Sequence, residues 1–356
     1  MTIPLELIRR LPKTDLHVHL DGSLRPATLL ALAADAGVAL PFRTPEEVLA
    51  HMHGRDVPDL THYLQVFDLT LAVLQTPAAL KRAAFELAED AAHEGVWYME
   101  VRFSPLLHTR RGLTHPEIVE AVVEGLRAAE ERFVIRTGVI ICGIRTISPQ
   151  MSLELARLAV SFKGRHVVGF DLAGAEKDYP AKDHREAFYE IRNHNISTTV
   201  HAGEDFGPPS IHQALHYCGA HRIGHGTRLC EDGDLMSYVN DHRIPLEVCL
   251  TSNLQTKATT LAQHPFRLYF DAGLRVTLNT DNRLISSTTM TAELDLACRA
   301  FQLDLYDLRR LLIHAFKSSF LPYQDKADLL RSAVDAMDRL FEEYFPGSYQ
   351  RLRSFL

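Results

Sequence analysis

Val134-Ile-Arg-Thr-Gly-Val-Ile-Ile-Cys142 and Val167-Val-Gly-Phe-Asp-Leu172 are near-continuous apolar runs dense in β-branched residues. A strand with one face in water alternates polar and apolar side chains, whereas a strand that is apolar throughout is covered on both sides, as in a parallel sheet under its crossover helices. Outward from these two runs, six more short segments of similar character are separated by longer stretches with helical periodicity. The chain therefore predicts eight strands, near Thr14–Leu20, Val96–Phe103, Val134–Cys142, His166–Leu172, Ser197–His201, Arg222–His225, Ile244–Cys249 and Leu274–Thr280.

Strands alternating with helices eight times over predict an α/β fold, a closed (β/α)₈ barrel of the TIM type. Helical patterns run over Pro77–His93 and Pro116–Phe133, and the connection from Ser23 to Val96 has room for several extra helices that would cap the barrel mouth. From Leu303 onward the spacing of Leu305, Leu308, Leu311, Leu312 and Ala315 predicts further helices at the C-terminus. No internal repeat and no Pro/Gly/Ser linker divides the chain, so residues 1–356 are read as one domain.

Composition narrows the classes of function. With 356 residues, 46% of them hydrophobic, the chain can build a full core and bury about three quarters of its unfolded surface. Its 38 basic and 45 acidic residues give a formal charge of −7, which provides neither the imbalance of a disordered chain nor a basic face for nucleic acid. No apolar stretch approaches the ~20 residues of a membrane span, and the N-terminus shows no leader pattern, so a cytoplasmic location is expected. Cys142, Cys218, Cys230, Cys249 and Cys298 are scattered and contain no C-x-x-C pair, which argues against a disulfide frame and against a thiolate zinc site. Histidine is abundant, at 19 residues, so a metal would be held by imidazole and carboxylate.

His17 and His19 lie at i and i+2 in Asp-Leu-His-Val-His-Leu, and in a strand both imidazoles project from one face. A pair of hydrogen-bonded or solvent-facing histidines would read the same way, so this motif gains weight only from the company it keeps. His201-Ala-Gly-Glu204 ends the fifth strand, His225 closes the sixth in Ile-Gly-His-Gly, and Asp281 closes the eighth in Leu-Asn-Thr-Asp. Each could be structural alone. Together they gather at the C-terminal ends of strands, where (β/α)₈ barrels build active sites. His17, His19, His201 and Asp281 make a plausible ligand set for a borderline divalent ion such as zinc, with Glu204 and His225 left over for proton transfer. An ion held there would let water act as a nucleophile near pH 7 without a strong base.

At these residues the chain resembles the adenosine deaminase family of metal-dependent amidohydrolases. The likeness runs through residues 11–23, Glu-Val-Arg-Phe-Ser-Pro at 100–105, Gly-Phe-Asp-Leu-Ala-Gly at 169–174, His-Ala-Gly-Glu at 201–204, Arg-Ile-Gly-His-Gly at 222–226, Thr-Ser-Asn at 251–253 and Leu-Asn-Thr-Asp at 278–281. The resemblance implies one zinc ion on His17, His19, His201 and Asp281. It also implies Glu204 donating a proton to purine N1, His225 assisting the attack, the Gly174 N–H meeting N3, and Asp21 accepting from a sugar hydroxyl. The implied reaction converts adenosine, and with it 2′-deoxyadenosine, to inosine products in purine salvage. The implied partner is a small purine nucleoside, with no nucleic acid and no membrane.

One departure stands out: better-known members carry two consecutive aspartates where this chain has Asp281-Asn282, so an amide takes the N7 contact. An amide offers N–H donors at any pH, whereas a carboxyl must first hold a proton. Leu60, Tyr63, Leu64 and Phe67 form a stripe at i, i+3, i+4 and i+7 that reads as an ordinary core stripe by itself and as an apolar gate by the resemblance. Two alternatives stay open, a deaminase of adenine or of another 6-aminopurine nucleoside such as aminodeoxyfutalosine, and a non-catalytic metal-binding barrel.

Overall fold

All eight predicted strands form in the computed structural model, which describes residues 3–53 and 64–347. They are β1 (Lys13–His19), β2 (Val96–Phe103), β3 (Arg136–Ile144), β4 (Val167–Ala173), β5 (Ser197–Ala202), β6 (Arg222–His225), β7 (Leu246–Val248) and β8 (Val276–Leu278). Each pairs in parallel with the next in chain order, β1 through β8. The ring closes just past β8, where His19 N–H donates to the Asp281 carbonyl at 2.7 Å and Asp281 N–H donates to the His17 carbonyl at 2.8 Å. The Asn279 side chain extends the seam by accepting from Leu16 N–H at 2.9 Å. Closure of the barrel therefore runs through the backbone of three of the four expected metal ligands.

Boundaries differ from the sequence reading where local chemistry intervenes. β3 begins at Arg136, because Val134 is 81% exposed in the turn leaving the preceding helix. β7 shrinks to three residues, since Pro245 has no N–H to offer the ladder and contributes only its carbonyl, to Ile223 N–H. Helix Pro77–His93 matches its predicted span and is capped by Thr76, whose side chain accepts from Ala79 N–H. The next helix runs His115–Glu130 and opens with a capping box in which Thr114 and Glu117 satisfy each other's free N–H groups.

Extra helices follow β1, at Pro26–Ala36, Pro45–His53 and Phe67–Val73, and two more, Leu305–Ser318 and Tyr323–Tyr344, finish the described chain. Helix Leu305–Ser318 packs over β8 and β1, sealing the outside of the closure seam. Among the described residues no helix is long and apolar enough to cross a membrane.

Helices Pro77–His93 and His115–Glu130 approach closely at Gly125, where an added Cβ would lie 2.2 Å from the Lys81 carbonyl oxygen and 3.0 Å from Ala84 Cβ. A backbone carbonyl cannot move aside as a flexible side chain can. Gly125→Val is expected to lose about 1–3 kcal/mol to overpacking, against a gain of only a few tenths from helix propensity. The midpoint of urea unfolding should fall, while the folded fraction keeps its activity.

Candidate active site

β1 delivers His17 and His19, the end of β5 delivers His201, and the turn after β8 delivers Asp281. One ligand atom from each lies within 4.8 Å of the others. His19 Nε2 is 3.2 Å from His201 Nε2, and Asp281 Oδ1 is 3.4 Å from both His17 Nε2 and His19 Nε2. His17 Nε2 is buried and has no hydrogen-bond partner, a costly arrangement for a polar atom. Three convergent imidazole nitrogens, one of them orphaned, beside an ionised carboxylate fit a divalent cation of borderline softness.

The outer nitrogens explain the orientation. His17 Nδ1 is 2.9 Å from Glu247 Oε2, and His201 Nδ1 is 3.0 Å from Asp171 Oδ2, so each ring offers its Nε2 lone pair to the cluster. Arg102 ties the two carboxylates together, with Nη1 donating to Asp171 at 2.9 Å and Nη2 donating to Glu247 at 3.0 Å. Burial holds the His17 imidazole down to about 4 and pushes His19 well below its usual value, which keeps both neutral and able to ligate. Burial opposes ionisation of Asp281, but the surrounding imidazoles outweigh it and hold the carboxyl well below the usual range.

His225 and Asp281 have left-handed backbones, with φ of 62° and 59°. For residues other than glycine this costs on the order of 1–3 kcal/mol and persists only where surroundings enforce it. Here it turns both side chains inward from the strand ends. Gly224 lets the strands approach closely beside them, because a Cβ there would crowd His201 Cα at 3.1 Å and His17 Cε1 at 3.2 Å.

Glu204 Oε1 accepts from Thr256 Oγ1 at 2.8 Å and from Asn253 Nδ2 at 3.3 Å, and its Oε2 lies 3.4 Å from His225 Nε2. Asn253 Nδ2 is also 3.1 Å from His225 Nδ1, so one amide spans both groups. Burial pushes the Glu204 carboxyl up, with His225 opposing. The group thus keeps its proton to higher pH than an exposed glutamate.

Glu204, His225 and Thr256 line a cavity of about 240 Å³ together with His19, His201, Asp21, Gly174, Asp281 and Asn282. Every predicted site residue is thus in the cavity wall or, for His17, directly behind it. Burial raises the Asp21 carboxyl to about 7. Asn282 lies flat against Gly22, where a Cβ would come 1.9 Å from its Oδ1. Of the apolar stripe, Leu60 and Tyr63 lie outside the described residues, whereas Leu64 and Phe67 line the cavity beside Leu71. That half of the stripe faces the ligand space and is not an ordinary core stripe.

Arg102, Asp171 and Asn253 lie within segments of the resemblance that carry no assigned role for them, and Glu247 and Thr256 lie outside those segments; all five belong to the site. A signal is present for three of them: Arg102, Asp171 and Glu247 are charges inside apolar strands, and a charge in a buried strand must be paired. The five cysteines carry no metal-binding spacing, yet Cys249 brings its sulfur within 4.8 Å of ligand atoms of His225 and Asp281. Asp171→Asn, which removes the charge and leaves one neutral oxygen to serve both His201 Nδ1 and Arg102, is expected to weaken metal retention about 10–100-fold. Release to a chromophoric chelator would measure it, and wild-type retention would reject the orienting role.

Residues 12–337 match the family model described as adenosine deaminase. The chain is 42% identical to the adenosine deaminase of Mycobacterium avium, covering 94% of this chain and 98% of that one. It is 40% identical to a probable adenosine deaminase of Dictyostelium discoideum, over 96% of this chain but only 44% of that longer protein. Among solved structures it is similar to an adenine deaminase from Arthrobacter aurescens, at TM-score 0.85 and 28% identity over 91% of this chain and 98% of the other. It is also similar to the N6-methyl-AMP deaminase of Arabidopsis thaliana, at TM-score 0.83 and 29% identity over 94% and 98%. A His/Asp cluster at the closure of a (β/α)₈ barrel, a buried acid beside it and a family match over most of the length agree: the chain belongs to the adenosine deaminase family.

Proposed function

We infer that the chain hydrolyses adenosine, and 2′-deoxyadenosine, to inosine or 2′-deoxyinosine and ammonia, as a single catalytic domain serving purine salvage. The observation that carries this reading is the Glu204–Asn253–His225 arrangement beside the four-ligand cluster, since metal binding alone requires none of the three. Zinc on His17, His19, His201 and Asp281 would supply Lewis-acid activation of water.

The chain's own groups account for the rest. Glu204, protonated in its buried setting, donates to purine N1 and draws electron density from C6, where water adds. His225, facing the same point from the end of β6, receives the proton released by the attacking water. His225 then passes that proton to the 6-amino group, which leaves as ammonia while the new C6 hydroxyl returns a proton to Glu204 on becoming the carbonyl, so both groups are restored. The Gly174 N–H meets N3, the Asn282 amide donates to N7, and Asp21 accepts from a sugar hydroxyl. Leu64, Phe67 and Leu71 form an apolar wall that excludes bulk water from the ring. The scattered, mostly buried thiols suit a reducing compartment, and we place the enzyme in the cytoplasm.

A second reading keeps the chemistry and changes the substrate, because an adenine deaminase and an N6-methyl-AMP deaminase share the fold at 28% and 29% identity. Purine absorbance followed across adenosine, 2′-deoxyadenosine, adenine, N6-methyl-AMP and aminodeoxyfutalosine decides between them. Turnover of adenosine and deoxyadenosine well above the rest is expected, and turnover of adenine alone would overturn the assignment. Glu204→Gln should lower kcat by about 10²–10⁴. Full activity in that variant would remove Glu204 as proton donor. Chelation should abolish activity and added zinc restore it, whereas activity that survives metal removal rejects the metal mechanism.

A further inference from the structure

Glu176 lies in the loop after β4 and is 5% exposed. Its carboxylate accepts four consecutive main-chain N–H groups: Gly203 on Oε1 at 2.5 Å, then Glu204 at 3.0 Å, Asp205 at 2.8 Å and Phe206 at 3.0 Å on Oε2. Successive N–H groups in a turn make an anion-binding concavity, and here the anion is supplied by the chain itself. The opposite side of the same segment is held by Arg145, whose guanidinium donates to the His201 carbonyl at 2.6 Å and to the Tyr179 carbonyl at 2.7 Å. The loop after β4 is thus fastened to the turn after β5 through donors and acceptors both.

That turn carries the ligand His201 and the acid Glu204, with Gly203 at φ 76° between them. Thr256 and Asn253 hold the Glu204 head group through Oε1, but they do not hold its backbone. We propose that Glu176 is a positioning residue for proton transfer, fixing the 203–206 turn so that Glu204 faces the reacting ring from a rigid backbone. Charge-assisted bonds are about twice as strong as neutral ones, and misplacing a reacting group by about 1 Å can cost about 10²-fold in rate. The inference rests on Glu204 being the proton donor.

Glu176→Gln keeps the shape but turns an amide NH₂ toward N–H donors. We expect kcat to fall about 10–100-fold while KM for adenosine stays within about 3-fold and bound zinc matches wild type. Glu176→Asp, which keeps the charge on a shorter arm, should recover part of the loss. Amide exchange at 203–206 should speed up in Glu176→Gln with the rest of the barrel unchanged. The decisive measurement is the double variant: with Glu204→Gln already present, Glu176→Gln should cost less than about 2-fold further, because the group it positions is gone.

An equal loss in both backgrounds would overturn the proposal and leave the deaminase reading intact. So would a loss carried by KM alone, which would mark a substrate contact, or an unchanged kcat. If Glu176→Gln does not fold, the same cycle run on Glu176→Asp decides the question, with full additivity rejecting the proposal. Full activity of Glu204→Gln alone would instead bring down the proton-donor reading beneath it.

Discussion

The buried ion network around Arg102 is the constraint on which the rest of the site depends. Arg102 and Glu247 are wholly buried, and Glu247 accepts from Arg102, Arg222, Thr199 and the ring of His17. Arg222 continues the network to Glu100, and Arg102 continues it to Asp171 and from there to His201. Burial works against ionisation of Asp171 and Glu247, but the neighbouring imidazole and guanidinium groups outweigh it and hold both carboxyls well below their usual range. A pair of buried charges in isolation would be costly. These are tolerated because nearly every donor has an acceptor and because the network fixes the imidazoles that face the cluster.

Charge explains why this interior suits a cation. Glu100, Asp171 and Glu247 pair with Arg102 and Arg222, while the buried Asp281 faces His17 and His19, so four buried carboxylates share an interior with two guanidinium groups. The two negative charges left over are what a divalent ion on His17, His19, His201 and Asp281 would neutralise. Structure and chemistry are coupled at the seam as well: the backbone of His17, His19 and Asp281 closes the barrel, and the side chains of the same residues converge inside it. Disturbing closure therefore disturbs the ligand set.

Glu204 shows how one carboxyl can be kept apart from this ionised set. It takes hydrogen bonds from a neutral hydroxyl and a neutral amide, and burial raises its pKa. One cavity thus holds carboxyls shifted in opposite directions, Asp281 down and Glu204 and Asp21 up, and titratable groups pushed apart in this way are how one site can offer both an anionic ligand and an acid.

Local sequence determined the eight strands, their order, and the His-x-His, His-Ala-Gly-Glu, Gly-His-Gly and Asn-Thr-Asp motifs, because periodicity and strand-end glycines are properties of neighbours along the chain. It also showed charges inside apolar strands at Glu100, Arg102, Asp171 and Glu247 without showing what they were for. Only the tertiary structure decided that Arg102 joins β4 to β7, that Glu247 aims His17, that Glu176 clasps the turn bearing Glu204, and that Leu64 and Phe67 face the cavity. Those pairings cross many residues of sequence, and they depend on the register of each strand against the next and on closure of the ring. A side chain's type can be read from the chain alone, but its partner is set by which strand ends arrive at the same height in the barrel.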